Sequence, residues 1–481
     1  MPARRFPGLP HGSYGLKNCG TAVVLLLTVA ACGGGVTRAR PSLSAPSTAA
    51  PAPPPSPLAS PLVTASWPVY HQNPERTGVS DTTPAPASLT VGWRARLDGA
   101  VYGQPLDVAG EILVATENDT VYALSPATGA ILWSTHLGTP VEGGLSCGDI
   151  LPLGITGTLA YDPLTETVFA VAEEAGFRHL LYALDPLSGA VRWSRRVDIQ
   201  IPSEDPAAVQ QRPALAVANG YVYTGFGGLD GDCARYRGAV EAVPTGGNGA
   251  TLTYVVPTAR EGAVWATAGP VVEPDGNILV ATGNGTAFSG AWDHTDSVLK
   301  LSPTLGLVDA FAPSRWGYDN SRDLDLGSVS PTLLPDGYVF IAGKSGVGYV
   351  LRQSNLGGVG GQVASGTTCL GQMAFGGTAV DQDVVYLPCA NGVQAVSVAP
   401  GGRFSVLWST GCGANGPPVL GGRAVFSVDT NSGVLFALSQ SSGQVLAKVP
   451  LGPVPHFTSP TLVGSDAYVG TDSGVVMAQG A

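Results

Sequence analysis

Charge is scarce in this sequence. Asp, Glu, Lys and Arg make up 12% of its 481 residues, against roughly a quarter in ordinary soluble domains. The chain therefore has a large core and a surface rich in Ser, Thr and Gly. Basic clusters are absent: 24 Lys and Arg face 35 Asp and Glu, for a net charge of −11. A chain beginning at Cys32 keeps 21 basic residues and has a net charge of −14. That balance excludes nucleic acid or an anionic membrane face as the main partner, since both need clustered Lys and Arg. Beyond about position 90 no run sustains an apolar period of 3.6, so little helix is expected. Gly-x-Ser-x-Gly, His-Glu-x-x-His and the phosphate loop are missing, and no lone Ser or His then stands out as a catalyst. The six His are scattered and there is no Cys-x-x-Cys. A metal site has no support in that spacing.

Glycine and proline are abundant. The 66 Gly and 40 Pro amount to about 22% of the chain, a composition suited to many short strands and turns. One stretch organises the pattern. Val121 to Trp133, VYALSPATGAILW, returns as Leu181 to Trp193 and as Leu435 to Ala447. Each copy is an apolar strand, a tight turn with a small polar residue and Gly, then a second strand. Gly accepts the positive φ such a turn needs. Eight such markers, centred on Ala123, Ala183, Ala242, Lys300, Val350, Ala395, Ala437 and Ala478, lie 41 to 60 residues apart. Two further strand candidates precede each marker. Four strands every 40–60 residues is the period of a β-propeller.

The expected fold is all-β: an eight-bladed β-propeller of four-stranded blades over residues 89–481. The last marker leaves no room for a fourth strand before Ala481. Leu89 to Arg96 carries a fourth-strand pattern with no blade before it. The ring is therefore expected to close through this N-terminal strand, which removes two open edges.

The N-terminal region reads as targeting and tether. Arg4, Arg5 and Lys17 precede an eleven-residue apolar run, Thr21 to Ala31, too short to span a bilayer. It ends in Val29-Ala30-Ala31-Cys32, which resembles a bacterial lipobox, with Cys32 as the lipidated residue of the mature N-terminus. Residues 1–32 are thus a lipoprotein signal. Residues 33–66 are a Pro/Ala/Ser-rich disordered tether, favouring extended polyproline II at about 3.1 Å per residue. A lead-in segment, 67–88, follows. The expected address is the extracytoplasmic face of a cell membrane, held by lipid alone.

Five cysteines follow Cys32. The exported address permits disulfides. Cys369 and Cys389 flank the first two strands of the sixth blade and can pair locally. Cys147 is paired with Cys233, leaving Cys412 over.

The segment Trp67-Pro-Val-Tyr70-His-Gln-Asn73-Pro-Glu-Arg76-Thr-Gly78 resembles the segment that opens propellers with pyrroloquinoline-quinone (PQQ) repeats. The Ala-x-(Asp/Ser)-x-x-(Thr/Ser)-Gly-x-x-x-Trp motif is similar to the tryptophan-docking motif of that family. The resemblance implies that Trp93, Trp133, Trp193 and Trp408 pack on neighbouring blades. Tyr254 and Phe311 replace Trp in blades three and four.

The family includes quinoprotein dehydrogenases, which hold PQQ and Ca²⁺ in the central funnel. Resemblance would place Asn284 (Ala-Thr-Gly-Asn), Lys344 (Gly-Lys-Ser-Gly) and Asp319 at such a cofactor. The departures are larger: Gly317 stands where those enzymes have Asp after Trp, no vicinal Cys pair exists, and the Glu region is replaced by the 230–238 insertion. Asp319, Asp323 and Asp325 read as a solvated or capping acidic turn. No catalytic residue is assigned. The reading is a monomeric, lipid-anchored, non-catalytic binding or scaffolding module for a protein or cell-envelope ligand, docking at residues 142–158, 226–238 and 284–328. One alternative is a quinoprotein dehydrogenase oxidising an alcohol or sugar. Another is an assembly factor for envelope proteins.

Overall fold

The computed structural model describes residues 65–481 apart from Gln200 and Ser203. The signal, Cys32 and nearly all of the tether lie outside the described residues. Among those described, the only α-helix is a single turn, Trp316–Asn320.

The strands form eight small, mainly antiparallel sheets in sequence order around a ring. Blade one shows the pattern: Leu106–Val108, Glu111–Ala115, Thr120–Leu124 and Ile131–His136 serve as strands A to D from the axis outward. Strands A to C are buried on both faces and read as continuous apolar runs, whereas strand D alternates. Blade eight takes its outer strand from the start of the fold. Leu89–Arg96 pairs antiparallel with Gly474–Gly480, so the ring closes as the sequence implies.

Adjacent blades lock through the repeat motif itself. Trp93 lies over Gly129, Trp133 over Gly189, Trp193 over Gly247 and Trp408 over Gly443. Each tryptophan thus covers the C–D turn of the following blade. Gly189 has φ +68°, and a Cβ there would meet the Trp133 ring at 2.3 Å. This glycine is required for both conformation and clearance. Trp93 and Trp408 also donate their indole N–H to Pro126 O (2.8 Å) and Gln440 O (3.0 Å). Both disulfides are present, Cys147–Cys233 and Cys369–Cys389, with Cys412 free.

The lead-in segment differs from its sequence reading. Strand structure begins at Ala65, inside the stretch read as tether, and the segment belongs to the propeller. Ala65–Trp67 pairs antiparallel with strand A of blade one, and Val79–Ser80 pairs parallel with strand A of blade seven. The chain therefore enters the bore at the end carrying the A–B and C–D turns, reverses inside, and leaves at the same end. On the way its carbonyls accept from the A strands: Tyr161 N–H to Pro68 O (2.8 Å), Val272 N–H to Pro74 O (3.0 Å), Val380 N–H to Thr77 O (2.9 Å) and Leu420 N–H to Gly78 O (2.7 Å). His71 bridges Thr378 O and Ser459 Oγ at 2.8 and 3.1 Å. Burial, then Arg76, lowers its pKa to about 3, so it bridges as neutral imidazole. Arg76, 3% exposed, donates to Tyr70 O (3.0 Å) and Leu215 O (2.8 Å).

The other ends of the strands carry the long D–A connections and the B–C connections, of which those of blades three and four are extended. This loop face holds the connections within 142–158, 226–238 and 284–328.

Two substitutions test the docking. Trp133→Ala and Gly189→Ala are each expected to cost about 2–4 kcal/mol in chemical denaturation. Because they remove one contact, the double variant loses less than the two losses added.

Candidate functional site

Around the axis, the loop face gathers one side chain from each of several connections. Trp265, Phe375 and Phe457 come from the connections entering blades four, six and eight. Their rings form a chain, with Trp265–Phe457 centroids at 6.2 Å and Phe375–Phe457 at 5.6 Å. Phe457 has φ +65°, a conformation that costs a non-glycine residue about 1–2 kcal/mol and is held by its surroundings. The Arg212 guanidinium lies 4.8 Å from its ring centroid, and His456 meets it edge-on at 5.1 Å. His456 in turn contacts Tyr102 and lies 3.3 Å from Asp149.

Beside this aromatic chain is a charged cluster. Lys344 Nζ contacts Asp323 Oδ1 and Asp325 Oδ2, each at 2.7 Å, and sits 5.5 Å from the Trp265 ring centroid. Burial alone would lower its pKa, but Asp325 and Asp323 outweigh burial and hold it above the usual lysine value. Asp325 also accepts from the Asn284 backbone N–H at 2.5 Å. Asp296 lies behind Asp325; burial, then the Asp325 charge, pushes its carboxyl well up, and it accepts from Leu326 N–H at 3.0 Å. Asp232 accepts from Tyr236 Oη, and burial raises its pKa to about 6. Glu261 pairs with Arg260 at 3.2 Å; burial first, then Asp232, raises it to about 7.

Two of the three residues that resemblance placed at a cofactor come together here. Lys344 and Asn284 meet through Asp325. Asp319 does not join them: it lies in the helical turn, 2% exposed, and takes Arg315 Nε at 2.8 Å. The acidic turn is solvated only in part: Asp319 and Asp325 are buried, whereas Asp323 is half-exposed. Spacing made Asp319, Asp323 and Asp325 equivalent, whereas the fold gives one to Arg315 and two to Lys344. Sequence reasoning placed Asp325 in an acidic turn without its pairing to Lys344, and missed Trp265, Phe457 and Arg212. A signal existed for Trp265, which stands outside the docking motif.

A family model described as outer membrane protein assembly factor BamB, of the PQQ-repeat type, matches residues 85–310. Residues 85–310 of the β-propeller are thus of the PQQ-repeat type. Similar solved structures include quinohemoprotein alcohol dehydrogenase from Comamonas testosteroni, at 17% identity and TM-score 0.65, covering 86% of this chain and 80% of that one. A europium-containing methanol dehydrogenase matches at 15% identity and TM-score 0.66, covering 87% and 98%. BamB from Moraxella catarrhalis matches at 16% and 0.55, covering 82% and 100%. At these identities the likeness is one of fold. Among curated proteins, none matches the sequence.

A planar quinone with Ca²⁺, which the sequence resemblance implies, meets three obstacles in the residues of this propeller. Lys344 fills the space between Asp323 and Asp325 that a cation would need. A tricycle stacked on Trp265 would compete with Lys344 or Phe457 for that ring. Beneath Phe457, the axial cavity leaves only about 10 Å³ for the centres of water molecules, room for about one water. Among the described residues no group of three or more His, Cys, Asp or Glu side chains is disposed to hold a metal ion.

Lys344→Met leaves Asp323 and Asp325 without their cation and is expected to destabilise by about 3–5 kcal/mol. Solution pH supplies a second test. Glu261 is raised from 4.5 to about 7 and Asp232 from 3.8 to about 6, so the folded state holds their protons more tightly. The stability they contribute is complete below those unfolded values and is lost as pH rises through the folded ones. Urea midpoints should fall between pH 4.5 and 7 on their account, and Glu261→Gln should flatten that fall.

Proposed function

We propose that this propeller is a non-catalytic binding or scaffolding module of the cell envelope, tethered by lipid on Cys32 and presenting its loop face to a protein partner. One observation carries the reading: the funnel where this fold can hold a redox cofactor is occupied by the chain's own side chains. Lys344 is committed to Asp323 and Asp325, Phe457 caps the axis, and the lead-in segment fills the bore below. The loops around the funnel stand on a rigid ring, where binding surfaces usually sit. Assembly of envelope proteins is the more specific form of this reading, favoured by the description of the family model that matches residues 85–310. A fold alone does not choose among these roles.

The dehydrogenase reading is tested by calorimetric titration of PQQ, with and without Ca²⁺, into the chain carrying Cys32→Ser. The expected result is no saturable heat and no dye-linked alcohol oxidation. Calcium-dependent binding at micromolar or tighter affinity, weakened by Lys344→Ala, would overturn the proposal. The anchor is tested separately by fractionating cells. The unsubstituted chain is expected with the membranes, and Cys32→Ser in the soluble extracytoplasmic fraction.

A further inference from the structure

Two arginines near the axis are charged and have no carboxylate in an ion pair with them: Arg76 is buried and Arg212 half-buried. Arg76, in the lead-in segment, spends its guanidinium on two backbone carbonyls, and its Nε has no partner among the described residues. Burial lowers its pKa only to about 10, so it stays cationic. Arg212, in the connection into blade three, makes no hydrogen bond or ion pair among the described residues, and its Nη2 is buried. The carboxylates nearest in effect are Asp149, Asp230 and Glu117. Asp149 is 42% exposed and lies against His456. Asp230 is exposed, so solvent screens its effect. Glu117 is buried, and burial raises its pKa to about 8, so at neutral pH it is mostly uncharged.

Arg212 lines one small cavity, and Arg76 donates to the backbone carbonyl of Tyr70, which lines it too. Tyr70, Thr156, Thr267 and Arg212 line it and Phe457 closes it toward the loop face. The Tyr70, Thr156 and Thr267 hydroxyls and Arg212 Nη2 are all buried there without a hydrogen bond of ordinary geometry. Tyr70 Oη lies beside Thr267 and Ser459, and the Thr156 hydroxyl beside the Glu117 carboxyl. The hydroxyls and Arg212 can all donate, and hydroxyl protons rotate to suit an acceptor. Buried charge is ordinarily paired, and here the surplus is positive.

We infer that this axial cavity is a binding site for a small monovalent anion of chloride size, held by Arg212 with the hydroxyls of Tyr70, Thr156 and Thr267. The space of about 10 Å³ for sphere centres admits one such ion and excludes sulfate or an organic carboxylate. The ion joins the lead-in segment, which brings Tyr70 and Arg76, to blades two, three and four. It binds the folded state alone, so it stabilises by mass action.

The test uses the whole chain. Thermal midpoints are measured as chloride replaces gluconate at constant ionic strength. The expected result is a saturable upward shift of a few degrees, reproduced by bromide. Arg212→Gln and Thr267→Val should each abolish the shift; if Arg212→Gln does not fold, Thr267→Val carries the comparison. Bromide-soaked crystals should show an anomalous peak beside Arg212 Nη2. A midpoint indifferent to the halide, or no anomalous density in the cavity, overturns the inference and leaves a water there.

Discussion

The structure depends on a segment that belongs to no blade. Residues 65–80 run up the bore and back, and their backbone takes up hydrogen bonds from the inner strands of blades two, four, six and seven. Strand A of each blade would otherwise present an unpaired edge to the axis, and such edges are costly if buried and hazardous if exposed. Ordinary propellers leave a channel there. In this chain the channel is filled by Tyr70, His71 and Arg76, each nearly inaccessible. Neutral His71 and cationic Arg76 act as rigid cross-braces, since each joins elements far apart in sequence.

That filled axis determines what the loop face can do. A funnel closed from below by Tyr70 and from above by Phe457 has little depth, and Lys344, Asp323 and Asp325 satisfy one another at its rim. The face is therefore a firm, mixed-charge surface with an aromatic centre. The outer ring supplies the firmness. Each tryptophan of the repeat rests on a glycine of the next blade, so displacement of one blade is resisted by its neighbour. A disulfide from blade two to the long loop of blade three adds a covalent tie on the loop face.

Much of the fold was legible because it is local and repetitive. The Gly turn with Trp four residues on marks strands C and D, and counting the markers counts the blades. The lone strand at Leu89–Arg96 announced the closure, and the cysteine positions announced the bridges. The lead-in segment was recognisable by its residues, but its course was not. Its contacts run through backbone carbonyls to strands up to several hundred residues away, and such contacts leave no periodic trace. The site failed for a related reason. Three aspartates within seven residues, Asp319, Asp323 and Asp325, look equivalent in sequence; a helical turn and the loop after it send them to different cations. Phe457 carries no signal at all, because its importance lies in a left-handed backbone conformation at the axis.

Hydrogen exchange tests the central claim most directly. The amides of Tyr161, Val272, Val380 and Leu420 donate to the lead-in carbonyls. In the intact chain they should exchange only with global unfolding. Removing residues 65–80 should release them selectively, ahead of the B and C strands of the same blades. Fast exchange of these four amides in the intact chain, or protection unchanged by the deletion, would contradict the account.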